Sequence, residues 1–472
     1  MNIGVEVFSP LSFLPLFMQN SKDTICAIAT GSGVGAIAMI RVSGKDALRK
    51  VSLCFSKDLT ERETHTIHFG TFRSLSGGLI DEVLVSIFRE GKSFTGEESV
   101  ELACHGSPYI QQQILDTLLH SGCRLANPGE FTMRAFMNGK MDLSQAEAVA
   151  DLIAAQTKIA HDIALNQMRG SFSSELKELR EKLIHFASLI ELELDFAEED
   201  VEFADRTQLK LLVDEVLRYL RRLEASFALG NAIKHGVPVA IVGAPNTGKS
   251  SLLNQLIGEE RAIVSNIAGT TRDVIEETLN IDGILFRFID TAGIREGAEE
   301  IEAMGIERSR EKIKQAKIVL CLCDGSNEES ITSVTQWVHE LRNVHPDKII
   351  LQLCNKSDIS KKSTESCDKD ALCLSARTGE GIDHLRLILT QKIAGDFSLS
   401  DETIVTNVRH VDALRRTIGS LEKAQANLDM QITADFIAMD IRQAMFDLGT
   451  ITGDISTEDL LGNIFAKFCI GK

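Results

Sequence analysis

The chain is short of proline and of basic residues, and it has no apolar run long enough to cross a membrane. Only seven prolines occur in 472 residues, of which 44% are hydrophobic. That balance excludes a disordered, linker-like chain and implies folded domains. Lys and Arg number 50 against 68 Asp and Glu, a net charge of −18. This excludes broad, non-specific nucleic-acid binding, which needs clustered cations against phosphate. It leaves room for a local basic groove, or for a partner that grips the nucleic acid. Nothing approaches the ~20 apolar residues of a membrane span, so no membrane association is expected. Residues 8–18 are apolar, yet no Lys or Arg precedes Lys22 and no convincing cleavage site follows. The expectation is therefore a cytoplasmic protein, not a secreted one. No C-x-x-C pair has zinc-site spacing. The ten cysteines are scattered, several inside apolar strand-like runs, as reduced and mostly buried thiols are.

What is present is organised around residues 243–251, reading GAPNTGKSS, which fit G-x-x-x-x-G-K-[ST] at every fixed position. An apolar run over 237–242 precedes the motif, and Leu252, Leu253, Leu256 and Ile257 follow it at helical spacing. That strand–loop–helix setting is the context in which the motif cradles phosphate. Gly243 and Gly248 let the backbone turn successive N–H groups toward phosphate oxygens, and the helix N-terminus adds the positive end of its dipole. Asn246, Thr247 and Ser251 belong to the same loop. Lys249 supplies a point charge near the β- and γ-phosphates, and the Ser250 hydroxyl is a candidate Mg²⁺ ligand.

Asn355-Lys356-Ser357-Asp358 follows the apolar run 349–353 and so belongs at the ligand-binding edge of an α/β sheet. A buried Asp358 accepting from both N1–H and the 2-amino group of guanine would select GTP over ATP, because adenine leaves it unpaired. Ser375, Ala376 and Arg377, after a strand at 371–374, would add contacts to the guanine oxygen. Asp290, Thr291, Ala292 and Gly293 end the run 285–289 and suit a Mg²⁺- and γ-phosphate-sensing segment. Gly269, Thr270, Thr271, Arg272 and Asp273 lie where a first switch belongs, with a threonine completing the Mg²⁺ shell. The residue after DxxG is Ile294, which cannot orient water as a glutamine does. Glu302 is a candidate replacement. Equally, Glu299, Glu300 and Glu302 would make an ordinary solvated helix start.

Length suggests about three domains at roughly 150 residues each. Residues 1–22 read as an N-terminal extension. From 23 to 141 the pattern is a small α+β domain, with strands expected at 25–29, 36–42 and 83–88 and helices at 44–54 and 108–120. The GSGVG at 31–35 is a weak signal that leads into a strand. Residues 142–235 are helical, with Leu212, Val216, Leu220 and Leu223 on one face. Residues 236–394 form an inserted α/β P-loop GTPase domain, Ras-like with a mostly parallel sheet. Helical pattern returns over 395–472, where Ile437, Ile441, Ala444 and Leu448 share a stripe. Ser456 and Asp459 read as a capping box for a last helix. The simplest topology inserts the nucleotide domain into a discontinuous α-helical domain.

Taken with SFTGEESVELACHG, NPGEFTMRAFMNGKMDLSQAEAVADLI and the terminal FCIGK, the ordered motifs GAPNTGKSS, NIAGTTRD, DTAGIRE, NKSD and SARTGEG resemble the MnmE (TrmE) family of tRNA-modification GTPases. The resemblance runs from Thr24 to Lys472. It implies a potassium-activated GTPase that dimerises transiently through its G domains. Asn246 would ligate K⁺ with the segment Ser265, Asn266, Ile267, Ala268, Gly269 and Thr270, the direct ligands being Asn246, Ser265, Ile267 and Thr270. Ser250 and Thr271 would hold Mg²⁺, and Glu302 would orient water, with Lys249 on the phosphates. A K⁺ at the phosphates stabilises transition-state charge where other GTPases use an arginine. Arg272 is the in-chain alternative. The resemblance further implies a constitutive homodimer through the N-terminal domain and a tetrahydrofolate one-carbon donor, 5-formyl or 5,10-methylene. This donor would be bound at Arg41, Glu101, Lys140 and Lys472. It also implies an FAD-dependent partner, MnmG (GidA), and installation of an aminomethyl or carboxymethylaminomethyl group on the wobble uridine of tRNA. Cys469 reads either as a thiol near that chemistry or as a small apolar plug at a helix end. A rival from another class is a GTP-operated binding switch in ribosome or RNA assembly, with no covalent RNA chemistry. Assembly GTPases of that kind usually carry a basic module after the G domain, and this chain ends in an amphipathic helical segment instead.

Overall fold

The computed structural model describes residues 23–195, 206–258, 277–289, 311–359, 371–394, 403–430 and 432–471. These fall into two compact units. The first comprises the described parts of Met1–Ala150, Gln167–Lys177 and Leu448–Lys472; the second comprises those of Asp151–Asn166 and Glu178–Asp447.

The first unit carries a six-stranded sheet. Its strands are β1 (Ile25–Ile28), β2 (Ile37–Ser43), β3 (Thr66–Arg73), β4 (Leu79–Phe88), β5 (Ser99–His105) and β6 (Arg124–Leu125), in the order β3-β4-β5-β2-β1-β6. All neighbours are antiparallel except β1 and β6. Alternation sorts the faces. Val83, Val85 and Ile87 of β4 join Val100 and Leu102 of β5 in a core that also takes Leu48 and Val51 of α1 (Ala47–Ser52) and Ile114 and Leu118 of α2 (Pro108–His120). On the other face Phe69, Leu84, Ala103 and Met39 lie opposite one another across four strands, and Phe69 and Leu84 are exposed. The helix at 108–120 falls where the apolar spacing put it. Strands β3, β5 and β6 were not anticipated.

Helix α3 (Glu130–Met137), the start of α4 (Leu143–Ala154) and α13 (Glu458–Phe465) also belong to this unit. Leu143, Ala146, Leu461 and Phe465 share one apolar cluster with Met133 and Phe136. The cap of α13 is Thr457, whose hydroxyl accepts from Leu460 N–H at 3.4 Å, and not Ser456. Thr457 has the extended backbone (φ −109°, ψ 153°) of a residue just outside a helix.

In the second unit, α7 (Arg206–His235) and α11 (Val408–Asp429) run antiparallel. Arg221 pairs with Glu422 at 2.6 Å and Glu224 with Arg415 at 2.7 Å, flanked by Lys210–Asp429. These pairs are exposed and add little energy. The stripe Leu212, Val216, Leu220 and Leu223 is buried and supplies the stabilisation. So is the expected stripe Ile437, Ile441, Ala444 and Leu448 of α12 (Ala434–Thr452), a helix whose residues from Leu448 onward belong to the first unit.

The same unit holds a second six-stranded sheet: β7 (Val237–Val242), β8 (Glu277–Ile281), β9 (Ile284–Phe288), β10 (Ile318–Asp324), β11 (Ile349–Asn355) and β12 (Leu372–Cys373), ordered β12-β11-β10-β7-β9-β8. All pairs are parallel except β8 with β9. Helices α8 (Lys249–Gly258), α9 (Glu328–Val344) and α10 (Ile382–Ala394) accompany it. One core holds Leu252, Leu253 and Leu256 of α8 with Leu385 and Leu389 of α10. Another holds Val338 of α9 against Val319 and Cys321. Strands covered on both sides read as continuous apolar runs, as IVLCLCD does.

Candidate functional site

The order β11-β10-β7 brings three carboxyl-end loops side by side. The loop after β7 is residues 243–248, and α8 begins at Lys249. Gly243 (φ 152°), Asn246 (φ 61°) and Gly248 (φ 98°) take positive φ, so this backbone path favours glycine at two places. Space enforces the same choice: a Cβ on Gly248 would lie 2.2 Å from Asn355 Nδ2, and one on Gly243 2.3 Å from the Leu322 oxygen. The Lys249 ammonium donates to the carbonyls of Gly243 and Ala244 at 2.9 and 2.8 Å, and Thr247 Oγ1 donates to Ala244 O at 2.8 Å. Asn246 is exposed at the loop tip, while Ser250 is half-buried and Ser251 exposed.

Asn355 ties this loop to the other two. It is 3% exposed. Its Nδ2 donates to Thr247 O at 2.7 Å and its Oδ1 accepts from Ala376 N–H at 2.9 Å. Lys356 (φ 69°) reaches Asp324 Oδ2 at 2.5 Å. Buried Ser375 donates its hydroxyl to Asp358 Oδ1 at 2.7 Å, and its own N–H is taken by Glu380 O at 2.9 Å. Asp358 itself is exposed. This corrects the expected buried carboxylate: burial here falls on the residues that aim it. Arg377 is exposed beside them. The expected Ser265, Asn266, Ile267, Ala268, Gly269, Thr270, Thr271, Arg272, Asp273, Asp290, Thr291, Ala292, Gly293 and Glu302 lie outside the described residues. Sequence reasoning missed Asp324, whose partner is far along the chain.

A second cluster lies in the first unit. Ala27, Arg41, Glu101 and Ser86 stand opposite one another across β1, β2, β5 and β4. Arg41 contacts Glu101 Oε1 through Nη2 at 2.8 Å and Nε at 3.0 Å. Its guanidinium lies 5.4 Å from the Phe94 ring centre and 5.7 Å from that of Phe131, within cation–π range. Lys140 Nζ donates to Gly91 O at 3.1 Å, which places it on the same β4–β5 loop that carries Phe94. That loop is held from behind. Thr95, fully buried, meets Ser43 Oγ at 2.7 Å, and Asn138 donates to Thr95 O at 2.8 Å. Arg134 binds Glu97, Asp23 and Glu130 at 3.2, 2.6 and 3.0 Å. Burial alone pushes the Glu130 carboxyl up, but the hydrogen bonds from Arg124 and the Asn127 N–H, with both arginine charges, hold it below its ordinary range.

The chain's tail lies against this cluster. Gly129 N–H donates to Cys469 O at 3.3 Å, and a Cβ on Gly471 would lie 2.3 Å from the oxygen of Ile28, the neighbour of Ala27. Lys472 and Cys367 lie outside the described residues. Cys469 is exposed, which overturns the reading of it as an apolar plug. The other described cysteines are buried, with Cys373 half-buried, and burial pushes the Cys54 and Cys104 thiols up to about 11.

A mostly parallel sheet that feeds a G-x-x-x-x-G-K-S loop, crosslinked to an N-K-x-D loop, defines the class: a P-loop nucleotide-binding protein of the guanosine type. The comparisons narrow it. The family described as "GTP-binding protein TrmE N-terminus" matches residues 24–140, and "MnmE helical domain" matches residues 143–469. The protein named "tRNA modification GTPase MnmE" of Flavobacterium johnsoniae is 50% identical over 465 residues, covering 96% of this chain and 100% of its own. The protein of that name from Christiangramia forsetii is 51% identical over 472 residues, covering 96% and 99%. That of Bacteroides fragilis is 49% identical over 469 residues, covering 96% and 100%. A solved structure of Era with MgGDPNP and a 16S ribosomal RNA fragment matches 39% of this chain at 23% identity and a TM-score of 0.26, too distant to carry an argument. The chain belongs to the MnmE family of tRNA-modification GTPases.

Proposed function

We propose that this chain hydrolyses GTP in the service of tRNA modification. The observation that carries the nucleotide reading is Asn355, which joins the phosphate loop at Thr247 to the base loop at Ala376 beside a carboxylate aimed by Ser375. Phosphates would meet the N-terminus of α8 and Lys249, and guanine would meet Asp358, Ser375, Ala376 and Arg377. The Ser250 hydroxyl, in the first turn of α8, is the hard oxygen donor Mg²⁺ requires. Ser250 with Thr271 would hold that ion, and Asp290 with Gly293 would sense the γ-phosphate. The Asn246 side-chain amide, exposed at the loop tip, offers an oxygen suited to K⁺, with Ser265, Ile267 and Thr270 as further ligands. Bound there, these cations supply positive charge against the phosphates. Glu302 would orient the attacking water.

In the first unit Arg41, Glu101, Lys140 and Lys472 would hold a tetrahydrofolate one-carbon donor. Both contacts from Arg41 fall on Glu101 Oε1, which leaves Oε2 to accept from a pterin. Arg41 and Lys140 suit the anionic tail. The apolar row Phe69–Leu84–Ala103–Met39 is a face on which a second copy would close a homodimer. GTP-dependent pairing of the G domains, the flavin-dependent partner MnmG, a cytoplasmic location and the wobble-uridine product complete the reading, and they rest on the family. Nucleoside analysis of tRNA from cells with and without this chain tests it. Loss of the C5-modified wobble uridine is expected, and an unchanged nucleoside profile would leave a GTP-operated binding switch in its place.

A further inference from the structure

We infer that Asp324 is a positioning residue for guanine recognition: it acts through Lys356, holding the 355–358 loop in its binding shape, and touches no nucleotide itself. The inference rests on the guanosine reading of that loop and adds to it a residue from a different strand. Strands β10 and β11 are in register with Asp324 opposite Asn355, so its carboxylate stands at the mouth of the base loop. Its two oxygens do different work. Oδ1 accepts the Ser326 N–H at 2.9 Å and the Ser326 hydroxyl at 2.6 Å, which fixes the carboxylate on its own turn. Oδ2 receives the Lys356 ammonium at 2.5 Å.

Lys356 needs holding. Its φ of 69° is a left-handed conformation that is unfavourable for a non-glycine residue, and it persists only where the surroundings over-determine it. The loop's other polar residues are held elsewhere: Asn355 by Thr247 and Ala376, Asp358 by Ser375. Asp324 holds the side chain of Lys356, the one residue of the loop in a strained conformation, whose carbonyl accepts the Ile359 N–H at 3.1 Å. The pair is neither fully solvated nor fully buried, at 31% and 23% side-chain exposure, where a charge-assisted bond keeps much of its strength. Burial pushes the Asp324 carboxyl up, but the Lys356 and Ser326 hydrogen bonds outweigh it and hold the group below its ordinary range. It is therefore ionised at neutral pH. With both ends of the lysine held, its alkyl stem and Asp358, two residues on, are set before a base arrives, and preorganisation of this kind shows as affinity.

The test uses the full chain with Mg²⁺ and K⁺, a fluorescent GDP analogue and GTP turnover. Asp324→Asn keeps the side chain's shape and its acceptance from Ser326 but removes the charge facing Lys356. Its Kd for the analogue should rise about tenfold, with the Michaelis constant for GTP rising alike and turnover at saturation within about twofold of the original. Asp324→Glu, which restores the charge, should recover most of the loss. In a Lys356→Met background Asp324→Asn should add nothing, since residues that act as a unit are non-additive. Should Asp324→Asn fail to fold, Asp324→Glu and Lys356→Met alone still decide: the first must bind nearly normally and the second must lose about tenfold. Normal binding by Asp324→Asn, or additive losses in the double variant, would overturn the inference and leave the guanosine reading standing. Failure of the unaltered chain to take up the analogue would overturn both.

Discussion

Asn355→Ala tests the joint on which the nucleotide site depends. The side chain is almost wholly buried and makes two hydrogen bonds, to Thr247 O at 2.7 Å and from Ala376 N–H at 2.9 Å. Both partners are backbone groups of residues that are themselves 3% and 5% exposed. Truncation therefore leaves a buried carbonyl and a buried amide unpaired, at a cost of about 1–3 kcal/mol each. Some relief comes from a water entering the vacated space, so a total of about 2–4 kcal/mol is expected. The loss divides between the stability of the free unit and its affinity for GDP. Urea unfolding with and without saturating nucleotide captures the sum, because ligand adds its binding free energy to the unfolding free energy. If the whole loss falls on affinity, it corresponds to about 30- to 700-fold. Asn355→Asp separates the two bonds: it still accepts from Ala376 but sets an oxygen against the Thr247 carbonyl, and should lose nearly as much. Should Asn355→Ala unfold within ~0.5 kcal/mol of the original chain in both conditions, the loops are not joined through this residue and the site reading loses its carrying observation.

Three further outcomes are expected. Asp358→Asn should weaken GTP binding and relax the preference for guanine; unchanged GTP affinity in competition titrations would defeat the base assignment. Replacing K⁺ by Na⁺ should slow hydrolysis sharply while nucleotide still binds, and turnover indifferent to the cation would remove the role proposed for Asn246. The Glu130 carboxyl, held below its ordinary value of 4.5, contributes stability that is present above that value and lost as pH falls through the lowered one. Urea midpoints of the first unit should therefore drop on acidification below about pH 4.5, and Glu130→Gln should flatten the drop while lowering the midpoint at neutral pH. A variant with an unaltered pH profile would show that Arg124 and Arg134 do not hold that carboxylate.

Where a local pattern had a single structural meaning, it was legible from sequence. The run 237–242 with GAPNTGKSS reads as strand, loop and helix because glycine placement, apolar run and helical spacing all agree, and β7 and α8 stand there. Strand β3 did not read as one. Its exposed face carries Ile67 and Phe69, while its covered face carries Gly70 and Phe72, so hydropathy does not alternate. The exposed position of Asp358 was not legible either, because burial in this loop is assigned by Ser375, beyond a strand that returns to it. Asp324 looks like an ordinary strand end, and its meaning depends on Lys356, which only the pairing of β10 with β11 brings near. Thr457 and Ser456 are both acceptable caps by residue type, and the backbone chose between them.

The two clusters share a physical logic. In each, the charged side chains expected to meet a ligand are at least partly exposed, and buried polar side chains hold the loops that carry them. Asn355 and Ser375 stand behind Asp358, and Thr95, Glu130 and Arg134 stand behind the loop that carries Phe94. A buried polar group is costly unless its partners are in place, so each of these side chains tolerates one arrangement of its loop and penalises the rest. The penalty is met during folding, when the whole core forms, and not at the moment of binding. That arrangement also explains why substitutions one layer back should be as damaging as those at the ligand. A ligand contact removed costs its own bond, whereas a supporting residue removed leaves two backbone groups unpaired and frees the contact residue to wander.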